Sequence, residues 1–476
     1  MSRKKMGFVE TLRTLILGTI GLLCSGASMA QTATLSPDEL LSWIRTYHPI
    51  ALQADLRIDQ ARASVRMARG GFDPVLENET AQKTWNGRMY YYYNRPELKL
   101  PTWFGLSVHA GQEFLAGNET SPTDTKGESN YLGVSLSLAK NLLMDKRRAA
   151  LRTAQVLRAA SEVEKRRALN DLIKEGLYAY WEWVRAYMQE EAIRKTWEAN
   201  LQRRELIRTL VRAGDRPPID TIEANTQIFH WEGQWAQAQL QVDMKRRDLS
   251  NFLWSAQEIP VELPAVVQPE AQAKKMEWKT GKDPELEALL KQLPNQNPAL
   301  QLFPYRLQRL QIERKLQFQE LLPDLRFQYN QLGSGYSWAN TWKQPLFENN
   351  YQYGLKLAIP LRLSQGRGGY EQAKLNIRIT TLEQDLSQRK LENEVRNLYQ
   401  SCQTTRLQAG LLWEATLGFE QLLQTEVLRF KNGESALFLV NAREVRWMEA
   451  KLQWIQIRIR LCQQGVELDY QTGQLL

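Results

Sequence analysis

The chain has 476 residues, 24% of them charged, with a formal net charge of +9 and three cysteines. So small a basic excess, interspersed with acids over so long a chain, reads as solvated helix faces far more readily than as a nucleic-acid surface. The cysteine count excludes a disulfide scaffold, and beyond Ala30 no uncharged apolar stretch is long enough for a membrane helix.

Arg3, Lys4, Lys5 and Arg13 precede a short apolar run, Leu15 to Cys24, and the small-residue site Ser28-Met29-Ala30. This layout predicts a secretory signal peptide over residues 1–30. Its four basic residues and Glu10 carry +3 of the total +9, which leaves +6 on the mature chain.

Ser36-Pro37-Asp38-Glu39 predicts a helix start, with Leu40, Leu41 and Ile44 on its apolar side, and His48-Pro49 breaks it. A second helix follows and ends at Gly70-Gly71-Phe72-Asp73-Pro74. Residues 75–81 and 131–138 read as two strands. Between them lies extra strand-like material, Leu106 to Gly111, which either extends a strand or forms a hairpin outside the sheet. Tyr90 to Tyr93, Trp103 and Phe104 suit either an aromatic girdle or loop packing.

Arg148 to Ala213 then runs without proline, with one glycine, Gly176. It is built from strong helix formers. Apolar steps of three and four residues, through Leu169, Leu172, Tyr180 and Val184, draw one stripe along it. Such a rod would be ~99 Å long. It stops at Gly214, turns at Arg216-Pro217-Pro218, and returns as a helix from Ile219 to about Trp254.

After a proline-bearing linker over residues 258–283 the same pattern recurs. A short helix from Pro284 breaks at Asn297-Pro298, and the next ends at Leu322-Pro323-Asp324. Pro49 to Pro74 and Pro298 to Pro323 are both 25 residues. Strands are predicted over 324–329 and 353–361, a long helix from Gly368 to Lys431, a turn at Asn432-Gly433, and a return helix from Ala436 to about Tyr470. The chain is thus an internal duplication, residues 31–257 and 284–476. Cys402 and Cys462 lie 31 and 29 residues on either side of Gly433, at nearly equal height on facing helices. A disulfide and two free thiols both fit that placement. His48, His109 and His230 are isolated and read as structural or surface residues. No metal-ligand spacing, phosphate-binding glycine loop or nucleophile–base arrangement stands out.

Two strands per half make four per chain, too few to close a barrel. Three chains would supply twelve strands, an even number able to close in a membrane, above twelve packed helical segments. The expected fold class is mostly α, a long α-helical barrel with a transmembrane β-barrel completed by trimerisation.

The sequence resembles the outer-membrane efflux protein family, the TolC-like channels, over essentially all of the mature chain. The resemblance is carried by His48-Pro49 and Asn297-Pro298, by Gly71-Phe72-Asp73-Pro74 and Leu322-Pro323-Asp324-Leu325, and by the two glycine turns. Those turns are Gly214 to Ala224, and Phe430 to Arg443. The resemblance implies a homotrimeric, non-enzymatic exit duct of a tripartite efflux or type I secretion system, without cofactor, in the outer membrane of a Gram-negative bacterium. Its partners would be outer-membrane lipid, a periplasmic adaptor and an inner-membrane pump of RND or ABC type. Gly214, Arg216, Ile219, Asp220, Glu223, Gly433, Glu434, Ser435 and Leu437 would form the periplasmic tip where an adaptor docks. Asp220 and Glu223 match acids that can narrow the family's entrance, although the same placement is favourable for any helix N-terminus. The alternative is a periplasmic adaptor (membrane fusion) protein, which usually has one helical hairpin where this chain has two.

Overall fold

The computed structural model describes residues 34–117, 125–270, 273, 275 and 285–475. The predicted signal peptide and part of the 258–283 linker lie outside them. The first half runs α1 (Pro37–Tyr47), α2 (Pro49–Arg69), β1 (Val75–Trp85), β2 (Arg88–Pro101), β3 (Leu106–Gly117), β4 (Gly127–Ser137), α3 (Lys146–Ala213) and α4 (Ile219–Ser250). The second runs α5 (Leu286–Gln296), α6 (Pro298–Gln319), β5 (Asp324–Ser334), α7 (Trp338–Lys343), β6 (Tyr351–Ala358), α8 (Ser364–Lys431) and α9 (Leu437–Thr472).

The second helix of each half is capped in a similar way. His48 Nδ1 accepts the Ile50 amide at 3.2 Å at the start of α2, and Asn297 Oδ1 accepts the Ala299 amide at 2.9 Å at the start of α6. Each is followed by a proline at the first helical position, where its missing N–H costs nothing. Ser36 and Glu39 form a reciprocal capping box on α1. The two long helices have 68 residues each, about 102 Å at the helical rise.

The helices lie four abreast. Toward the tips the order is α4, α3, α9, α8; toward the sheet it is α2, α3, α6, α8. The main core sits where α1 crosses α3, with Trp181, Trp183, Tyr180, Leu177 and Ile44 almost wholly buried. Gly176 is glycine for this reason: a Cβ there would lie 2.5 Å from Ile44 Cδ1. Leu253, just after α4, and Leu263, in the linker, close over the same core, and Thr34–Leu35 pairs in parallel with Gln268–Pro269.

The outer members of this layer keep apolar stripes uncovered. On α8, Leu375, Ile379, Leu382 and Leu386 are each at least half exposed, and so are Leu407 and Leu411. On α4 the corresponding residues are Ile219, Ile222, Phe229 and Leu240. Steps of three, four and seven are what a neighbouring helix would cover.

The sheet departs from the expectation of four strands. All six pair antiparallel in the order β1-β2-β3-β4-β5-β6. The extra material is a full hairpin inside the sheet, not an excursion outside it. Register places paired residues on a common face. One face carries Leu76 (β1), Leu98 and Leu100 (β2), Val108 (β3), Val134 and Leu136 (β4), Phe327 (β5), and Leu355 and Leu357 (β6). Among the paired positions of this face, one charged residue occurs, Glu128, far from the helices. The opposite face carries Glu77, Lys99, Glu97, Arg95, Glu113, Arg326 and Lys356. There Lys99 bridges Glu77 at 2.6 Å and Glu97 at 3.3 Å, and Arg95 pairs with Glu113.

The same alternation divides the four tyrosines. Tyr92 lies on the uncharged face against Phe114, whereas Tyr91 and Tyr93 stack on each other on the charged face. They cannot all form one girdle. Trp103 and Phe104 are exposed and packed edge to face at the helix-proximal end of the β2–β3 hairpin. Cys402 and Cys462 are not joined in a disulfide; Cys462 is buried and Cys402 half-buried.

Candidate functional site

The two helix turns predicted as a tip are brought together. Gly214 ends α3 at φ +82°, a left-handed conformation that a side chain would strain. The Asp215 amide then reaches back to the Leu210 carbonyl at 2.9 Å, the doubled-back cap expected of a glycine stop. Gly433 repeats this at φ +82°, with the Glu434 amide donating to the Arg429 carbonyl at 2.9 Å.

Arg216 joins the turns. Its guanidinium donates to the Phe430 carbonyl at 2.9 Å and the Ser435 carbonyl at 3.1 Å, and lies 4.4 Å from the Phe430 ring centre. A cation placed on the last carbonyls of α8 also opposes the negative end of that helix. Beneath it Ile207 (α3), Ala224 (α4), Phe430 (α8), and Leu437 and Val440 (α9) form a closed apolar cluster. Burying each large member is worth roughly 1.5–3 kcal/mol, so the four helix ends hold one another.

The predicted tip residues therefore separate into two groups. Gly214, Ile219, Gly433 and Glu434 are exposed, and Arg216 and Glu223 are half-buried. Asp220, Ser435 and Leu437 are buried within the chain. The Ser435 hydroxyl donates to Glu426, itself buried. Glu223 accepts the Asn441 side-chain amide at 2.9 Å, so it already has a partner on the other hairpin.

About two turns into α9 lies a polar cluster that sequence reasoning did not identify. Glu444 is 2% exposed and accepts from Arg203 at 2.7 Å, Asn200 at 2.7 Å and Trp231 at 3.0 Å. It thus binds α3, α4 and α9 together. Arg203 also reaches Asn441 at 3.5 Å, which continues the network to Glu223 and the tip. One signal was available: Val440, Glu444 and Met448 are spaced by four, so an acid sits on the buried stripe of α9. Farther from the tip, Lys451 stands over the rings of Trp413 and Trp454 at 5.2 and 4.8 Å, and burial pushes its pKa down.

No group of three or more metal-ligating side chains is placed to hold a metal ion among the described residues, and none of their helices is long and apolar enough to cross a membrane. What the arrangement offers is mechanical: two linked turns at the end of a long stem, with exposed residues facing outward and a charge network behind them.

No protein-family model and no curated protein sequence matches the chain. Solved structures do. The Campylobacter jejuni CmeC outer membrane channel aligns over 96% of this chain and 91% of its own, with a TM-score of 0.65 at 14% identity. The Neisseria gonorrhoeae MtrE outer membrane channel, in its open state, aligns over 95% and 94%, with a TM-score of 0.64 at 14% identity. VceC, an outer membrane protein of Vibrio cholerae, aligns over 92% and 96%, with a TM-score of 0.63 at 14% identity. In fold, this chain resembles these outer membrane channels over nearly its whole length.

Proposed function

We propose that the chain is one third of a homotrimeric exit duct, seated in the outer membrane of a Gram-negative bacterium and reaching into the periplasm. It conducts passively what an inner-membrane pump of RND or ABC type and a periplasmic adaptor deliver. The observation that carries this reading is the segregation of charge across the sheet. One face of six strands is apolar near the helices and uncharged until Glu128, while the other is lined with acids and bases. A sheet in water on both sides has no reason for that division, whereas a barrel wall between lipid and an aqueous pore requires it. It also disfavours the adaptor alternative, whose small β-domains stay in water.

The trimer is supported by the uncovered stripes on α8 and α4. Each copy ends on both sides in apolar helix surface, and a closed ring of copies buries both. The bare edges of β1 and β6 require the same closure, because an open sheet edge is not tolerated in lipid. The CmeC and MtrE structures are outer membrane channels, and the shared fold makes that role the natural one here. At the far end the linked turns supply the docking surface: Gly214, Arg216, Ile219, Glu223, Gly433 and Glu434 meet the adaptor. Asp220, Ser435 and Leu437 shape it from within.

The test is negative-stain imaging of the mature protein extracted from outer membranes in detergent. A three-fold hollow cylinder is expected, with a detergent belt at one end and a stem roughly 100 Å long. A water-soluble particle without a belt would overturn the reading and return the adaptor.

A further inference from the structure

We infer that the membrane barrel of this duct has eighteen strands, six from each copy, because a hairpin is inserted into the first of its two duplicated strand pairs. The inference rests on the trimeric reading above, and the duplication itself exposes the insertion. The second half runs α6, β5, β6, α8, one strand leaving the helices and one returning. The first half runs α2, β1, β2, β3, β4, α3. Its departing strand β1 and returning strand β4 are the counterparts of β5 and β6. The hairpin β2–β3 lies between them.

The inserted strands are built as barrel wall. They have 14 and 12 residues, against 11 each for β1 and β4, so they cross the full height of the sheet. Their side chains continue both faces without a break. Leu98, Leu100 and Val108 extend the uncharged band, and Arg95 pairs with Glu113 on the charged side. The turn between them returns to the level where the stem begins. A Cβ on Gly105 would lie 3.3 Å from the guanidinium of Arg148, in the first turn of α3, and Arg148 donates to the Leu142 carbonyl at 2.8 Å. Two inserted strands also keep the number per copy even. β6 of one copy therefore meets β1 of the next antiparallel, as every other pair in the sheet does.

The circumference agrees. Strands ~4.8 Å apart and tilted ~40° each occupy ~6.3 Å of the ring, so eighteen need ~113 Å and twelve only ~75 Å. Twelve helices, four from each copy, spaced ~9.5 Å apart make a ring of ~114 Å. The eighteen-strand barrel, ~36 Å across between backbones, therefore continues the stem at its own width. A twelve-strand barrel, ~24 Å across, would narrow it. The consequence for function is a membrane outlet no tighter than the stem, which leaves the helix tips as the selective end for bulky cargo.

Cryo-electron microscopy of the full protein in detergent counts the strands within the belt. Eighteen in a closed ring is the expected result. Twelve, with residues 88–117 outside the belt, would overturn the strand count and leave the duct standing. A particle without three-fold symmetry would overturn the duct and the count together. A second measurement avoids relying on one image class. In a background with Cys402 and Cys462 replaced by serine, Leu98→Cys, Val108→Cys and Lys99→Cys are exposed to a membrane-impermeant maleimide in intact outer membranes. Labelling at Lys99→Cys with loss of labelling at the other two is expected. Equal labelling at all three places the hairpin in water and refutes its part in the wall.

Discussion

Removing the Glu444 carboxylate should loosen the stem just behind the tip more than any other single truncation there. The side chain is 2% exposed and accepts hydrogen bonds from Arg203, Asn200 and Trp231. Glu444→Ala deletes the acceptor and leaves a largely buried guanidinium, an amide and an indole N–H without it. Breaking a buried ion pair from one side costs about 3–5 kcal/mol, most of it the penalty of the orphaned charge. Local opening of α3 near Arg203 and of α9 near Glu444 should therefore become at least a hundredfold more frequent, since 1.4 kcal/mol is about a factor of ten. The assay is amide hydrogen exchange in the detergent-solubilised protein, comparing 196–207 and 440–448 with the main core near Trp181. The double change Arg203→Met with Glu444→Leu should restore most of the protection, because apolar replacement of a buried pair is often neutral. Exchange within threefold of the unmodified protein in Glu444→Ala, or no recovery in the double variant, would mean that water already serves these groups and the reasoning fails.

Four further outcomes are expected. His48 caps α2 through a bare Nδ1, and burial lowers its pKa below 6.5, an effect partly offset by the Asn251 backbone carbonyl. The folded chain then binds fewer protons than the unfolded one just below pH 6.5, so stability should fall as pH drops through that window. His48→Asn, the residue used at the second cap, should remove that slope in thermal melts at pH 5 to 7 while keeping the helix. Arg216→Ala should cost roughly 1.5–3 kcal/mol of local stability for each charged hydrogen bond lost, read as faster proteolysis and exchange at 430–436; unchanged rates would deny that it ties the turns together. Val134→Arg should impair membrane assembly, at about 2–4 kcal/mol for a lipid-facing arginine, whereas Ser135→Arg on the opposite face should assemble normally; equal effects would contradict the facing assigned to β4. Asp220→Ala with Glu223→Ala should weaken cation block or change cation selectivity in single-channel recordings, with Glu223→Gln as a control that retains an acceptor for Asn441; unchanged selectivity would remove both acids from the gate.

The parts of the molecule legible in the sequence are those governed by neighbours in the chain. A glycine at φ +82° after a long helix, a proline after a capping His or Asn, and a serine three residues before a glutamate are local devices. They place the ends of both long helices, at Ala213 and Lys431. The β2 strand was missed although its signal is present. In Arg95-Pro96-Glu97-Leu98-Lys99-Leu100 charged and uncharged residues alternate strictly, but Pro96 argues against a strand and four consecutive tyrosines hide the period. The polar network around Glu444 was not legible as a network. Its partners Arg203, Trp231 and Asn200 lie 241, 213 and 244 residues away, and periodicity says only that a helix has a buried stripe, not which helix covers it.

That difference bears on how the two ends of the molecule can change. The strand end is specified by alternation alone, uncharged on one face and charged on the other, and a hairpin obeying that rule can be added without altering any helix. The sheet with β2–β3 in place keeps its register on both sides, from β1 through β4. The tip end is specified by particular pairs: Arg216 with two carbonyls, Glu223 with Asn441, Glu444 with three donors. An insertion there would break contacts that nothing else replaces. The sheet is therefore the end that accepts added strands freely, and the linked turns are the end that does not.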